Sequence, residues 1–276
     1  MTTPAVQSGR RVLVTGSSGS LGSALCERLP AADWVVRQLD REPSRICIEP
    51  PHDSVQADAF DPEVLDATLV DCSAIVHLAA PAHEASMEHI AATHIVGTAR
   101  VLEAARRAGV DRVVLASSNH AVGRTPRLPL AGIDLRPRPD TYYGVGKVAM
   151  EGLGSLYVDR FGMSVACLRI GSFMDRPQTR RHLSTWLSPD DLFRLVDACL
   201  RAPGLHFAVV YGISANSRRW WDLEPGNRIG YFPRDDAEEF AEEIIAATSD
   251  EDESDPEVAF LGGAFAGSAN PVGVGP

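Results

Sequence analysis

Tyr143 and Lys147 stand four apart in the string Tyr143-Gly144-Val145-Gly146-Lys147, so on a helix a phenol and an ammonium share one face. A cation beside a phenol favours the phenolate and is expected to lower the tyrosine pKa towards operating pH, which suits a base that takes the proton of an alcohol. A Y-x-x-x-K pair alone is common by chance, and its weight comes from what surrounds it. Upstream, the β-branched run Arg112–Leu115 leads into Ser117-Ser118-Asn119-His120. In a parallel sheet that position is the carboxyl edge, where ligands bind, and a Ser118 hydroxyl there can hydrogen-bond a reacting oxygen. The catalytic candidates are therefore Tyr143, Lys147 and Ser118.

A second cluster lies near the start of the chain. Thr15-Gly16-Ser17-Ser18-Gly19-Ser20-Leu21-Gly22 follows a short apolar run and opens a helical pattern, with glycines at 16, 19 and 22. Gly16 allows a tight turn, Gly19 lets the backbone approach a pyrophosphate, and Gly22 permits close helix–strand packing; the helix N-terminus then presents free N–H groups to the phosphates. Asp40 ends the next strand about twenty residues on, where a carboxylate binds the adenine-ribose diol and repels a 2′-phosphate. This favours NAD over NADP, although Arg41, directly after it, is a cation that can meet a phosphate. Asp58 has two readings: a contact to adenine, or the N-cap of a helix that begins near Pro62.

These residues need a scaffold, and the hydrophobic pattern describes one. Short runs read as buried parallel strands at Arg11–Thr15, Trp34–Leu39, Ala74–His77, Arg112–Leu115, Val165–Ile170 and Phe207–Tyr211. Helical patterns lie between them: Leu21, Leu25 and Leu29 recur every four residues, Glu84–Ala108 reads as one long helix, and Thr141–Phe161 places Met150, Leu153, Leu156 and Tyr157 on one face. Strands alternating with helices predict an α/β fold, a Rossmann-type doubly wound parallel sheet with right-handed crossovers. Residues 1–172 carry the dinucleotide-binding and catalytic motifs. Residues 173–276 form a smaller, Pro- and Gly-interrupted substrate-binding cap with helices at Asp190–Leu200 and Asp235–Thr248, and the tail Gly267–Pro276 is expected to be poorly ordered beyond its start. Trp186, Trp220 and Trp221 read as cap core, His77 as structural and Tyr142 as packing.

Composition removes several function classes. Of 276 residues, 45% are hydrophobic and 23% charged, which is ordinary for a globular protein. No stretch approaches the roughly 18 apolar residues of a membrane span, and Met1–Arg10 lacks the apolar core of a secretion signal. With 26 Lys+Arg against 37 Asp+Glu the net charge is −11, which opposes binding to a nucleic-acid backbone. Part of the excess lies in the acidic run Ser249–Glu257, read as a solvated loop outside any site. Cys26, Cys47, Cys72, Cys167 and Cys199 are odd in number and scattered, which suits a reduced, cytoplasmic protein with free thiols. His89 and His94 are five apart rather than four, and no metal site is expected.

In sum of its motifs and their order, the chain resembles the extended short-chain dehydrogenase/reductase superfamily. Further strings are similar to the uronate dehydrogenases: Ala116–His120 (ASSNH), Tyr143–Lys147 (YGVGK), Leu168–Ser172 (LRIGS), Arg181–Asp191 (RHLSTWLSPDD), Ser214–Asn216 (SAN), Trp220-Trp221-Asp222 and Gly262–Phe265 (GGAF). The resemblance implies NAD-dependent oxidation of a free hexuronic acid, D-galacturonate or D-glucuronate, at C1 to the aldarolactone. It implies Tyr143 as the base, Lys147 tuning it and holding the nicotinamide ribose, and Ser118 orienting the substrate oxygen. Asn119 and His120 would contact sugar hydroxyls, Arg181 would bind the C6 carboxylate, and Ser172 and Phe265 would line the pocket. The implied NAD contacts are Gly16, Ser18, Gly19, Ser20, Leu21, Gly22, Asp40, Asp58, Ala59, Leu78, Ala79, Ala80, Tyr143 and Lys147. A homo-oligomer through the helices of Glu84–Ala108 and Thr141–Phe161 is also implied.

The sequence departs from that pattern at four places. Ala82 stands where uronate dehydrogenases place a serine, His94 where the superfamily places an asparagine, and Gly146 where a serine is usual, while Arg180 adds a cation beside Arg181. Two other functions compete. A sugar-nucleotide epimerase or dehydratase would use the same Tyr/Lys core, against which stands a short C-terminal part with no evident basic pocket for a nucleotide diphosphate. A non-catalytic NAD-binding regulator is the other, and such proteins commonly lose the tyrosine or lysine.

Overall fold

The computed structural model describes residues 10–46, 49–248, 252 and 254–274; Cys47 and most of the first half of the acidic run lie outside them. Seven parallel strands make the main sheet: β1 (Arg10–Thr15), β2 (Trp34–Asp40), β3 (Asp53–Gln56), β4 (Cys72–His77), β5 (Arg112–Leu115), β6 (Ser164–Ile170) and, after a small parallel pair β7 (Ser172–Phe173) and β8 (Trp186–Leu187), the last strand β9 (Phe207–Gly212). The order β3-β2-β1-β4-β5-β6-β9 reverses direction between β1 and β4, the doubly wound arrangement whose ligand crevice lies at that reversal. Because β9 pairs with β6, the chain beyond residue 172 builds part of this sheet as well as the cap.

The strands read as unbroken apolar runs because both faces are covered. Val12 and Val14 face a core shared with Leu25 and Leu29 on one side and with Leu192 and Leu195 of α7 (Pro189–Arg201); Leu13 between them faces the other core, with Leu102 and Met150. Alternate residues of one strand thus serve both layers. The cap has its own smaller clusters, in which Trp220 and Trp221 pack with Tyr211 and Leu261, and Trp186 with Ala237 and Ile244. Among the described residues, Cys26, Cys72, Cys167 and Cys199 are free thiols.

Two helices differ from their expected form. The segment Glu84–Ala108 is not one α-helix: it begins at Met87, capped by Ser86, passes through a π-helical stretch at Ala91–Gly97, and continues as α4 (Thr98–Ala108). Periodicity cannot reveal a π-turn, which adds a residue without changing composition. In α5 (Tyr142–Phe161), capped by Thr141, the buried line runs through Tyr143, Lys147, Met150, Gly154 and Tyr157, a 4-3-4-3 spacing. Leu156, expected on that face, is exposed. The predicted helix Asp235–Thr248 starts as a 3₁₀ turn at Ala237–Phe240 before the α-helical Ala241–Ala247. At the C-terminus, order extends past the start of the tail, because the Gly273 amide donates to Glu84 at 2.8 Å.

α5 is also pinned at its middle. Glu151 receives Arg169 of β6 through two parallel hydrogen bonds of 2.9 and 2.8 Å and the Ser117 hydroxyl at 2.6 Å, all buried. Removing one partner of such a pair leaves an uncompensated charge. Arg169→Met should therefore lower unfolding free energy by about 3–5 kcal/mol in denaturant titrations, and pairing it with Glu151→Leu should recover most of the loss. A single variant as stable as the parent would exclude this pair as a support of the helix.

His77 and His94 are buried against the site. His77 Nδ1 lies 2.8 Å from Thr15 Oγ1, and His94 Nδ1 lies 3.0 Å from Thr93 Oγ1. Desolvation, reinforced by the nearby Lys147, pulls both imidazoles down to about 3 from an ordinary 6.5. The unfolded chain therefore binds two protons that the native state refuses in this window, and stability is full above about pH 6.5 and lost as pH falls towards 3. At up to roughly 1.4 kcal/mol per pH unit for each ring, this pair should contribute a drop of about 3–4 kcal/mol between pH 6.5 and 5, and His77→Gln should remove about half of that contribution; His182, drawn down to about 4 by burial, adds to the same slope. Equal stabilities at the two pH values would mean that neither ring is held neutral.

Candidate active site

The turn after β1 forms the first wall of the site. Gly16 has φ of +70°, and a Cβ there would lie 2.7 Å from the Ala79 nitrogen, so both the turn and the exit of β4 require glycine. The Thr15 hydroxyl, 2.8 Å from the His77 ring, also accepts from the Leu78 and Ala79 amides, both at 3.3 Å. This is the structural role read for His77. A Cβ on Gly22 would stand 2.2 Å from the Gly16 carbonyl oxygen, so Gly22 serves packing beneath the turn rather than lining the groove. The helix α1 (Ser20–Arg28) starts at Gly19 without a side-chain cap, leaving its first amides for an acceptor.

Gly16, Ser18, Gly19, Asp40, Asp58, Ala59, Leu78, Ala79 and Ala80 all line one groove of about 400 Å³. Asp40 accepts the Ser18 amide at 2.9 Å and the Glu42 amide at 3.0 Å, which fixes its carboxylate at the groove beside Arg41 and Arg45. Asp58 is not a helix cap: the helix at Pro62–Thr68 is capped by Asp61, which receives the Glu63 and Val64 amides. Asp58 instead accepts the Phe60 amide at 2.9 Å while facing the groove. The cradle, the uncapped helix start and the carboxylate beyond it fit a dinucleotide with a free 2′-hydroxyl.

The groove leads to a cleft of about 250 Å³ that brings together Ser20, Leu21, Ser118, Asn119, His120, Tyr143 and Lys147, with Ala82 on its wall. Ser118 lies at the carboxyl end of β5 as expected and bridges to Ile170. Lys147 is buried and donates to the Ala116 carbonyl at 2.6 Å; its nitrogen lies 5.2 Å from the Tyr143 ring centre. Burial draws this ammonium down to about 7. The expected lowering of Tyr143 does not occur. Burial pushes its phenol up to about 12, against the pull of a hydrogen bond with Ser118, and the Asp140 carboxylate adds to the rise. Lys147 spends its contact on a backbone oxygen, and desolvation decides the sign.

A wider cleft of about 660 Å³ adjoins through His120 and holds Ser172, Arg180, Arg181 and Phe265. The predicted substrate residues thus fall in two clefts that share one histidine. Arg181 is turned onto the backbone: its guanidinium donates to the carbonyls of Glu257, Phe260 and Leu261 and lies 3.4 Å from the Glu257 carboxylate. Burial lowers it to about 10. Asn119 likewise donates to Leu261 O at 3.0 Å. The end of the acidic run is therefore part of the site wall, contrary to its reading as a solvated loop, because Glu257 compensates a buried cation.

Two carboxylates here carried no signal in the sequence reading. Glu84 accepts the Tyr142 and Tyr143 amides at 3.1 and 2.8 Å, covering the start of α5 from the loop that replaces the first turn of the expected helix Glu84–Ala108. Asp140 accepts from His120 Nδ1 at 2.7 Å. A third feature is a cleft of about 400 Å³ lined by Arg127, Arg180, Arg218 and Arg219. Its arginines come from three distant segments, one of them outside the C-terminal part, and converge only on folding. Two departures explain each other: a Cβ on Gly146 would stand 2.9 Å from the Cβ of His94, whose ring meets Tyr143 edge-on at 5.5 Å.

Comparison with known proteins shows the family of the chain. The profile of the NAD dependent epimerase/dehydratase family matches residues 12–188. The uronate dehydrogenase of Agrobacterium fabrum is 40% identical over 256 residues, 93% of this chain and 96% of its own. The solved structure of a tyrosine-to-alanine mutant of uronate dehydrogenase from Agrobacterium tumefaciens, complexed with NAD, has a TM-score of 0.89 at 39% identity, covering 95% of this chain and 99% of that one. Glucuronic acid dehydrogenase from Chromohalobacter salexigens gives 0.90 at 36% identity, covering 95% and 98%. The chain therefore belongs to the NAD dependent epimerase/dehydratase family and, within it, groups with the uronate dehydrogenases.

Proposed function

We propose that the protein is an NAD-dependent dehydrogenase that oxidises a free hexuronic acid, D-galacturonate or D-glucuronate, at C1 to the aldarolactone. The observation that carries this reading is the convergence of Ser118, Tyr143 and Lys147 between a dinucleotide-shaped groove and a cleft walled by Arg181. Bound NAD supplies the hydride acceptor. Gly16, Ser18, Gly19, Ser20 and Leu21 cradle its phosphates, Asp40 takes the ribose diol, and Asp58, Ala59, Leu78, Ala79 and Ala80 line the groove. Ser118 holds the C1 oxygen and Tyr143 takes its proton. Lys147 holds the nicotinamide ribose. Asn119 and His120 meet sugar hydroxyls, with Ser172 and Phe265 as walls.

The likeness to uronate dehydrogenases at 37–40% identity supports the substrate class, and the test is direct. Galacturonate and glucuronate should each be assayed for net NADH formation beside glucose and galactose. A second reading, a sugar-nucleotide epimerase, draws support from the arginine-lined cleft at Arg127 and Arg219. It is distinguished by conversion of a sugar nucleotide without net NADH.

Tyr143→Phe should lower turnover by ~10²–10⁴-fold with NAD affinity nearly unchanged. With the phenol pushed up to about 12, its basic form is scarce near neutrality, so kcat/KM of the parent should climb with pH until the tyrosine titrates. The phenylalanine variant should lose that rising limb. Parent-like activity in the variant removes Tyr143 as the base; a parent profile flat from pH 7 to 10 means that its phenol ionises below that range in the working complex.

Arg181 is the cation assigned to the C6 carboxylate. Arg181→Ala should cost about 2–5 kcal/mol in kcat/KM on uronates, roughly 30- to several-thousand-fold, with little change on neutral hexoses. Arg180→Ala should be milder. Because Arg181 also holds the carbonyls of residues 257–261, thermal melting of each variant separates loss of that support from loss of recognition. Undiminished preference for uronates in both variants would place the carboxylate elsewhere.

A further inference from the structure

Asp140 ends the loop before α5, next to the capping Thr141 and three residues before Tyr143. Its side chain is 0% exposed. One oxygen lies 2.7 Å from His120 Nδ1, and the other accepts the Thr141 hydroxyl at 3.1 Å. Three separate segments give up side chains to make room for it. A Cβ on Gly123 or on Gly262 would lie 1.9 Å from Asp140 Oδ2, and one on Gly144 would lie 3.1 Å from Oδ1. A carboxylate enclosed this way is held in one orientation, and an ionised carboxylate can only accept. The proton shared with His120 therefore belongs on Nδ1, and in the neutral imidazole Nε2 then keeps a lone pair.

His120 is the residue common to both clefts. Its ring is stacked on Phe265, with centroids 4.7 Å apart, and meets Tyr143 edge-on at 5.6 Å. Two aromatic neighbours and one carboxylate leave the ring no other setting.

We propose that Asp140 is a positioning residue that fixes the tautomer of His120, so that Nε2 accepts a hydrogen bond and the site demands a hydroxyl donor from its substrate at that point. The selectivity part rests on the uronate reading; the tautomer part does not. An acceptor at this position discriminates by chemistry: a substrate hydroxyl satisfies it, whereas a fluorine of similar size, which cannot donate, leaves the nitrogen unpaired.

The tautomer is read by two-bond ¹H–¹⁵N correlation on histidine-labelled protein at pH 8, with His120 assigned from the spectrum of His120→Gln. The parent should carry its proton on Nδ1. Asp140→Asn, nearly the same size and able to donate, should move the proton to Nε2. In kinetics, that variant should raise KM for uronate roughly tenfold to hundredfold while the Kd of NAD stays within twofold. Across uronates fluorinated at one ring carbon at a time, the parent should reject one analogue at least tenfold more than the others, and Asp140→Asn should erase that gap. A parent His120 protonated on Nε2 overturns the proposal, and needs no variant to fold. So does an Asp140→Asn protein with unchanged KM and unchanged fluorine profile. If the Nδ1 proton is found and no uronate is oxidised, the positioning role stands and the substrate reading fails.

Discussion

α5 must hold two polar heads, the Tyr143 phenol and the Lys147 ammonium, on its buried face. Buried polar groups are costly unless partnered, so the helix can sit in only one place: where each buried group finds its acceptor. Lys147 finds the Ala116 carbonyl at the end of β5, and Glu151, one turn further, finds Arg169 and Ser117. The first amides of the helix find Glu84 and Thr141. The face carrying Tyr143 and Lys147 is thereby tied to β5 and β6, and the position of Tyr143 relative to Ser118 follows from those ties. The rise of the tyrosine pKa and the fall of the lysine have the same origin, since removal from water penalises both charged forms.

The opposite wall is set by shape. The π-helical stretch at Ala91–Gly97 carries His94 inward against Tyr143, and the absence of a side chain at Gly146 leaves space for it. Gly97 in the same stretch lies against Phe60, where a Cβ would come within 2.5 Å of the ring. One surplus residue in a helix, a histidine and a small partner thus form one packing solution, in keeping with interiors that tolerate little change in volume.

The C-terminal segment closes the site by hydrogen bonds as well as by the packing of Leu261 in the cap core. Leu261 donates to Thr125, and its carbonyl accepts from both Asn119 and Arg181. This brings Phe265 onto His120 and explains why two residues expected to face the sugar also spend donors on the backbone. Arg181 keeps its charge there because carbonyls supply dipoles, while the carboxylates of Glu257 and Asp140 oppose the cost of burial.

The α/β class, the glycine turn, Asp40, the strand-end serine and the Tyr/Lys pair were legible in the chain itself. Each depends on neighbours within a few residues: strand periodicity, a turn that tolerates only glycine, and one helical turn between phenol and ammonium. The departure of Gly146 was visible as well, but its reason was not, since His94 lies on another helix. Glu84 caps α5 from 59 residues away, Asp140 meets His120 across 20, and Arg181 reaches its carbonyls across 76 to 80. Nothing local distinguishes such a carboxylate or arginine from a solvated one. The sign of the Tyr143 shift belongs to the same class: the spacing places a cation nearby, but only the packed structure determines that the cation turns to a carbonyl and that burial outweighs it.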